Sequence, residues 1–100
     1  MDKKQLKAIG HRLKPVVIIA GGGLTENVLA ELNRALNDHE LIKVKIAIDD
    51  RDLRQETAET LCAETGAELI LTIGKMALIL RKNPKPNPKT SNLVRYLSDL

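Results

Sequence analysis

The amino-acid sequence predicts an α/β domain with the element order αβαβαββ, in which helices pack on a mixed four-stranded sheet. Apolar residues recur at helical spacing in three segments, and four other short segments are continuously apolar or alternate with lysine. Glycines lie at the junctions between these segments, where turns are needed. A chain of 100 residues with 43% hydrophobic content can bury one core and is too short for two domains.

Two elements precede the first glycine-rich turn. Leu6, Ile9 and Leu13 recur at helical spacing with lysines on the other sides, which predicts a basic helix over residues 3–12. Pro15 then precedes an apolar run, so we expect the first strand at residues 16–20.

Three consecutive glycines separate this strand from the second helix. Thr25 can cap the helix, because its hydroxyl can accept a hydrogen bond from an unpaired backbone amide. We expect the helix to end near Asp38 and His39. Its apolar stripe consists of Val28, Leu29, Leu32, Ala35 and Leu36.

The second strand, residues 40–48, alternates between two kinds of side chain. Lys43 and Lys45 point to one side, and Ile42, Val44, Ile46 and Ile48 point to the other. We expect the third helix to begin with a capping box of Asp52 and Gln55 and to end at a left-handed Gly66. Its apolar stripe consists of Leu53, Ala58, Leu61 and Cys62.

The last two strands are predicted at residues 68–73 and 76–82, joined by a tight hairpin at Gly74 and Lys75. Helical crossovers favour parallel pairing of the early strands, and the hairpin adds an antiparallel pair. Beyond Lys82 a segment with three prolines and no periodicity predicts a solvated arm with one or two helical turns at its end. We therefore divide the chain into a domain, residues 1–82, and a C-terminal arm, residues 83–100.

The net charge of +3 is distributed unevenly. Residues 1–14 and 81–100 each carry five basic side chains and one acidic one, whereas residues 15–80 carry six basic and eleven acidic side chains. Seven of those acids fall in residues 49–68. This polarity is typical of a protein with one face for a polyanion, although solvated termini on an ordinary protein would give the same pattern.

Several classes of protein are disfavoured. No apolar run is long enough to cross a membrane and the N-terminus lacks a signal peptide, so we expect a cytoplasmic protein. Cys62 is the single cysteine and His11 and His39 are the two histidines, so we expect a buried thiol, no disulfide and no metal site. We interpret Asp49, Asp50 and Asp52 as a polar turn with a helix cap.

Enzymatic function is disfavoured too. We find no catalytic constellation, no Walker A loop and no dinucleotide fingerprint, since Glu26 stands where that fingerprint needs glycine. We therefore expect neither a cofactor nor an enzyme. The absence of Phe and Trp, with Tyr96 as the single aromatic residue, also disfavours binding modes that stack bases on exposed rings.

Two features could bind phosphate. Gly21, Gly22 and Gly23 precede a helix, whose unpaired amides and dipole favour an anion that can approach closely. Glycine would also suit a sharp reversal between a strand and a helix, so this turn leaves both interpretations open. Lys43 and Lys45 lie roughly 7 Å apart on one side of a strand, near the spacing of successive phosphates, although a solvated sheet face would look the same.

Three segments in this order resemble the bacterial YhbY family, the stand-alone version of the CRM (chloroplast RNA splicing and ribosome maturation) domain. They are "LKPVVIIAGGGLTENVLAELNRAL", "HELIKVKIA" and "TGAELILTIGKMALILR", and the resemblance covers residues 3–82. It implies a fold similar to the C-terminal domain of translation initiation factor three. It also implies a non-enzymatic RNA-binding protein that associates with precursors of the large ribosomal subunit and assists their assembly.

The resemblance also implies site residues. The GxxG loop of the family falls on residues 20–23, its basic strand positions on Lys43 and Lys45, its hairpin pair on Gly74 and Lys75, and its strand-ending arginine on Arg81. Two positions depart from the family pattern: Ala20 replaces the first loop glycine, and Leu80 stands where relatives often carry an aromatic residue. The predicted RNA-binding residues are Lys7, Lys14, Ala20, Gly21, Gly22, Gly23, Thr25, Lys43, Lys45, Lys75 and Arg81.

The expected partner is ribosomal RNA in a large-subunit precursor, with no membrane and no small-molecule substrate, and we expect a monomer. One alternative is an adaptor whose basic patch binds acidic proteins. A small-molecule phosphate-binding enzyme is a weaker alternative, because the nucleotide motifs are missing.

Overall fold

The fold is an α/β sandwich built on one four-stranded sheet. The structure, a computed structural model, describes residues 1–97. Its elements are α1 (Lys3–Gly10), β1 (Pro15–Ile19), α2 (Glu26–His39), β2 (Leu41–Ile46), α3 (Arg51–Thr65), β3 (Glu68–Ile73), β4 (Met76–Leu80) and α4 (Asn92–Leu97). The strand order is β1-β2-β4-β3, with β1 parallel to β2 and β4 antiparallel to both neighbours. The predicted mixed four-stranded sheet is confirmed.

The ends of the helices follow local capping chemistry. Thr25 caps α2 as predicted, since its hydroxyl accepts a hydrogen bond from the Val28 amide at 3.2 Å. Gly66 ends α3 in the left-handed conformation, with φ of 72°. The capping box predicted at Asp52 is wrong: Asp50, in an extended backbone conformation, accepts from the Leu53 amide at 2.9 Å, so α3 begins at Arg51.

One side of the sheet is sealed by α2 and α3, and we call it the closed face. The alternation of β2 directs Ile42, Val44 and Ile46 into this layer, where they meet Leu32 and Leu61 of the two helices. This main core is entirely aliphatic apart from Cys62. The Cys62 thiol is buried as predicted, and burial raises its pKa to about 11.

The other side of the sheet, which we call the open face, carries α1 and α4. A smaller apolar cluster anchors α1 there through Leu6 and Ile9, which pack with Leu78 of β4. Gly10 lets α1 lie close to the sheet, because a Cβ at this position would come within 2.6 Å of a Leu78 methyl group. These two short helices leave part of the face uncovered: Val16 is 46% exposed and Ile18 60%.

The predicted solvated arm instead packs against the domain. The carboxylate of Glu40, at the end of α2, accepts 2.6 Å hydrogen bonds from the Ser91 hydroxyl and from the Asn83 amide. The Asn92 amide group donates to the Leu41 carbonyl at 2.7 Å. A buried carboxylate needs such donors, and the segment before α4 supplies them. The terminal helix that we predicted is α4; residues 98–100 of the arm lie outside the described residues.

Candidate functional site

The glycine turn, residues 20–23, connects β1 to α2. Its internal hydrogen bonds run from the Gly23 amide to the Ala20 carbonyl at 3.0 Å and from the Thr25 amide to the Gly23 carbonyl at 3.2 Å. Gly23 has φ of 70°, which L side chains rarely adopt. Gly21 and Gly22 lie outside that region, and a Cβ at either would meet nothing within 4 Å. The chain reversal therefore explains Gly23 but not Gly21 or Gly22.

The exposed part of this turn presents backbone to solvent. Gly21 and Gly22 are exposed, and the glycine turn leads into the N-terminus of α2 three residues later. Side chains at these two positions would have room in the fold but would keep an approaching molecule away from the backbone amides. The turn thus leaves its backbone accessible three residues before the N-terminus of α2, the end of a helix that favours anions.

Lys43 and Lys45 project from the open face, and Lys45 lies nearer to this turn. Lys45 pairs with Ile18 of β1 and with Met76 of β4. The Ala47 amide donates to the Ile19 carbonyl at 2.8 Å, so β1 and the chain after β2 stay adjacent up to the edge of the sheet. Strand spacing and rise put the Cα atoms of Lys45 and Ala20 about 8 Å apart. The glycine turn therefore lies near Lys45, and Lys43 lies two residues further from the turn along β2.

The predicted residues Lys7 and Lys14 lie around the same face. Lys7 lines a cleft of about 210 Å³ between α1 and the β3–β4 hairpin, together with His11 and Lys43. Its floor is apolar and includes Met76 and Leu78. Lys14 lines a separate cleft, also of about 210 Å³, between the α1–β1 connection and α4. Lys43 borders both clefts and so links them.

The cleft beside α4 contains residues that our sequence reasoning missed. Arg12 and Arg95 line it with Lys14 and Lys43, and the Tyr96 ring lies against both arginines. The guanidinium carbons of Arg12 and Arg95 are 4.5 and 5.5 Å from the ring centroid. Only the docking of the C-terminal segment brings these residues together, so no local pattern in the sequence could have indicated them.

Lys75 is held at the rim of the sheet by an acidic neighbour. Its ammonium group lies 2.9 Å from a carboxylate oxygen of Asp49, in the loop before α3. The hydrogen bond and charge of Lys75 lower the pKa of the Asp49 carboxyl below its usual 3.8. Lys75 is thus drawn toward α3 and away from Lys43 and Lys45, and its charge is partly neutralised.

Arg81 has a different environment from the other predicted residues. It follows Leu80, which faces α1, so strand alternation directs Arg81 to the closed face. Its guanidinium donates to the Asn33 side chain and carbonyl, the Asn37 side chain and the Thr65 carbonyl at 2.6 to 3.0 Å. These contacts tie the C-terminal halves of α2 and α3 to the end of β4.

A cleft on another side of the molecule has mixed charge. It has a volume of about 480 Å³, lies between α3 and the β3–β4 hairpin, and combines Arg51 and Arg54 with Asp52. The described part of the chain has no group of three or more His, Cys, Asp or Glu residues that could hold a metal ion. Within residues 1–97, no helix has the length and apolar character needed to span a membrane.

Comparison with known proteins identifies relatives of this chain. A Pseudomonas aeruginosa protein named "Probable RNA-binding protein PA4753" is 62% identical over 95 residues, covering 95% of this chain and 91% of the relative. A Haemophilus influenzae protein named "RNA-binding protein" is 48% identical over 80 residues, covering 80% and 81% of the two chains. The solution structure of the hypothetical protein SAV1595 from Staphylococcus aureus superposes with a TM-score of 0.74 at 35% identity, covering 83% of this chain and 86% of that one.

The relatives agree with a family model that matches most of the chain. The model of the CRS1 / YhbY (CRM) domain matches residues 1–81, which include every predicted site residue and end where β4 gives way to the C-terminal segment. The chain belongs to the CRS1 / YhbY (CRM) domain family.

Proposed function

We propose that this protein binds ribosomal RNA in precursors of the large ribosomal subunit and assists their assembly, as a binding protein and not an enzyme. The observation that carries this proposal is the glycine turn: Gly21 and Gly22 meet no structural requirement for glycine, and the turn follows β1, whose Ile18 pairs with Lys45 of the open face. The names of the two bacterial relatives support RNA as the ligand.

The proposed contacts are made mainly to phosphate. Backbone amides of the glycine turn and the ammonium groups of Lys7, Lys43 and Lys45 are donors without base selectivity. We therefore expect RNA shape, or neighbouring ribosomal proteins, to supply specificity. Affinity should fall steeply with salt, because each neutralised phosphate releases counterions that return at high salt.

The first test reverses the charge of the open face. The double variant Lys43→Glu with Lys45→Glu should lose RNA affinity on the order of 10- to 100-fold and no longer co-sediment with large-subunit precursors in a sucrose gradient. Gly22→Asp should have a similar effect, because its carboxylate would repel phosphate at the turn.

A matched control changes the same charge elsewhere. Arg34 and Arg51 are exposed residues of α2 and α3, the helices of the closed face. The double variant Arg34→Glu with Arg51→Glu should co-sediment as the wild type does. Wild-type co-sedimentation by a folded Lys43→Glu, Lys45→Glu variant would refute the assigned surface.

The competing function is an adaptor whose basic face binds acidic proteins. It predicts that complexes purified from cells survive ribonuclease, whereas RNA binding predicts that they dissociate. The mixed charge of the cleft between α3 and the β3–β4 hairpin gives no specific support to a small-molecule enzyme.

A further inference from the structure

The cleft between the α1–β1 connection, β2 and α4, which we call the α4 cleft, is strongly basic. Among residues 1–97, those that line it include four arginines and lysines, namely Arg12, Lys14, Lys43 and Arg95, and no Asp or Glu. Its volume of about 210 Å³ is several times the roughly 30 Å³ that a water molecule occupies in the liquid. The cleft has room for a phosphate group and part of its sugar.

The C-terminal segment that completes this cleft is held firmly. Glu40 is 4% exposed and accepts hydrogen bonds from residues on both sides of the three prolines, Asn83 and Ser91. Glu40 also has the unusual φ of 61°, a conformation that persists only when its surroundings enforce it. Leu93 and Tyr96 then pack against the apolar cluster of the open face. A segment anchored at so many points positions Arg95 before any ligand arrives.

Tyr96 positions the guanidinium groups of Arg12 and Arg95 without neutralising them, because its ring carries no charge. Its ring lies within cation–π distance of the guanidinium groups of Arg12 and Arg95. Stacking uses the flat side of a guanidinium, whose N–H donors project from its edge. The exposed Arg95 can therefore stack on Tyr96 and still bind a phosphate oxygen pair through two parallel hydrogen bonds.

We propose that the α4 cleft is a second phosphate-binding site, which extends the RNA surface beyond the family domain. One RNA strand would run from the glycine turn across Lys45 and Lys43 to Arg95. Lys43 makes this path continuous, because it borders both the α4 cleft and the cleft between α1 and the β3–β4 hairpin. The inference rests on the proposed function and adds to it the role of a segment that the family model, ending at residue 81, does not cover.

The test measures the binding of a fluorescein-labelled RNA stem-loop by fluorescence anisotropy at several salt concentrations. Arg95→Gln should reduce the slope of log affinity against log salt by about 0.7–0.9, the value for one phosphate contact, with an affinity loss of about three- to tenfold. Arg95→Glu should lose more. Tyr96→Leu keeps an apolar side chain and should give a smaller reduction of the same slope, because Arg95 is then less well positioned.

Lys89→Glu is the matched control, since Lys89 is an exposed cation of the same segment that does not line the α4 cleft. It should bind close to the wild type. Suppose that the Arg95 variants have the same RNA affinity and salt slope as Lys89→Glu, while Lys45→Glu still weakens binding. The α4 cleft is then not a phosphate site, and the proposed function survives. If the wild type shows no salt-dependent RNA binding, both proposals are overturned. Thermal unfolding of each variant confirms that it is folded.

Discussion

The two faces of the sheet use the same four strands for opposite purposes. The closed face lies under helices of 14 and 15 residues, and its strand residues Val17, Ile19 and Ile79 are 2% exposed or less. The open face lies under helices of eight and six residues, which leave Ile18 60% exposed and Lys45 half-buried. One face is sealed and apolar, and the other is partly open and basic.

Under the proposed function, this difference assigns stability to one layer and RNA binding to the other. Burial of apolar surface stabilises the fold by about 25 cal/mol per Å², so the closed face supplies most of the driving force. Because stability comes from that side, the open face can keep cations in a row without a large penalty in folding. The alternation of β2 joins the two roles: Val44 lies in the core, while Lys43 and Lys45 beside it on the strand face outward.

The sharpest test of this comparison uses two adjacent isoleucines of β1. Ile19 is 0% exposed on the closed face and Ile18 is 60% exposed on the open face. Ile19→Ala should reduce the free energy of unfolding by about 2–5 kcal/mol, through lost burial and a residual cavity. Ile18→Ala should change it by about 0.5 kcal/mol or less. Urea denaturation of the purified proteins measures both values.

Equal losses in the two variants would contradict the comparison. They would mean that Ile18 is covered in solution. If a second copy of the chain covers it, the expected monomer is contradicted as well. The free energy of unfolding of the Ile18→Ala variant at two protein concentrations tests for this dimer, because only a dimer becomes more stable at higher concentration.

Arg81 and Lys45 provide the next test, since both were predicted to contact RNA but lie on opposite faces. Arg81→Met removes four hydrogen bonds, which join β4 to the half-buried Asn33 and the exposed Asn37 of α2 and to the buried Thr65 of α3, so it should cost about 1–3 kcal/mol of stability. It should leave the salt dependence of RNA binding unchanged. Lys45→Met should have the opposite effects: little loss of stability, and a smaller slope of log RNA affinity against log salt.

Urea denaturation and fluorescence anisotropy on the same two preparations check this pair. The decisive measurement is the slope of a folded Arg81→Met variant below its unfolding transition. If Arg81→Met reduces the salt slope of RNA affinity as much as Lys45→Met does, Arg81 contacts phosphate. The open face alone would then not account for RNA binding.

The sequence predicted the element order and the direction of Lys43 and Lys45 correctly, for a physical reason. In β2 each side of the strand has its own class of side chain, so alternation alone separates a lysine face from an apolar face. In β4 both sides are apolar: Ala77 and Ile79 pack in the main core, and Leu78 packs under α1. Periodicity therefore could not assign a face to Arg81.

The features that could not be predicted depend on contacts between distant residues. Ser91 reaches Glu40 across 51 positions, and Lys75 reaches Asp49 across 26. Proline-rich composition correctly indicated an absence of helix or strand before α4, but composition contains no information on where such a segment docks. The α4 cleft depends on that docking, so it appears only in the folded structure.

The smallest predicted effect concerns the rim between the two faces, where Asp49 holds Lys75. The lowered pKa of Asp49 means that the pair is intact above the usual value of 3.8 and is lost only as the pH falls through the lowered pKa. Asp49 therefore stays ionised at neutral pH, and the substitution Asp49→Asn is the way to remove the ion pair. We expect the freed lysine to raise RNA affinity by about two- to threefold and to increase the salt slope.

Asp52→Asn removes the same charge from the first turn of α3, next to the same hairpin. If Lys75 joins the RNA surface once it is released, Asp49→Asn should exceed Asp52→Asn in both affinity and slope, as measured by anisotropy with the labelled stem-loop. Equal gains in RNA affinity by the two variants would mean that the loss of one negative charge, and not the release of Lys75, caused the effect. Lys75 would then belong to the rim that stabilises the hairpin, and the binding face would end at Lys45.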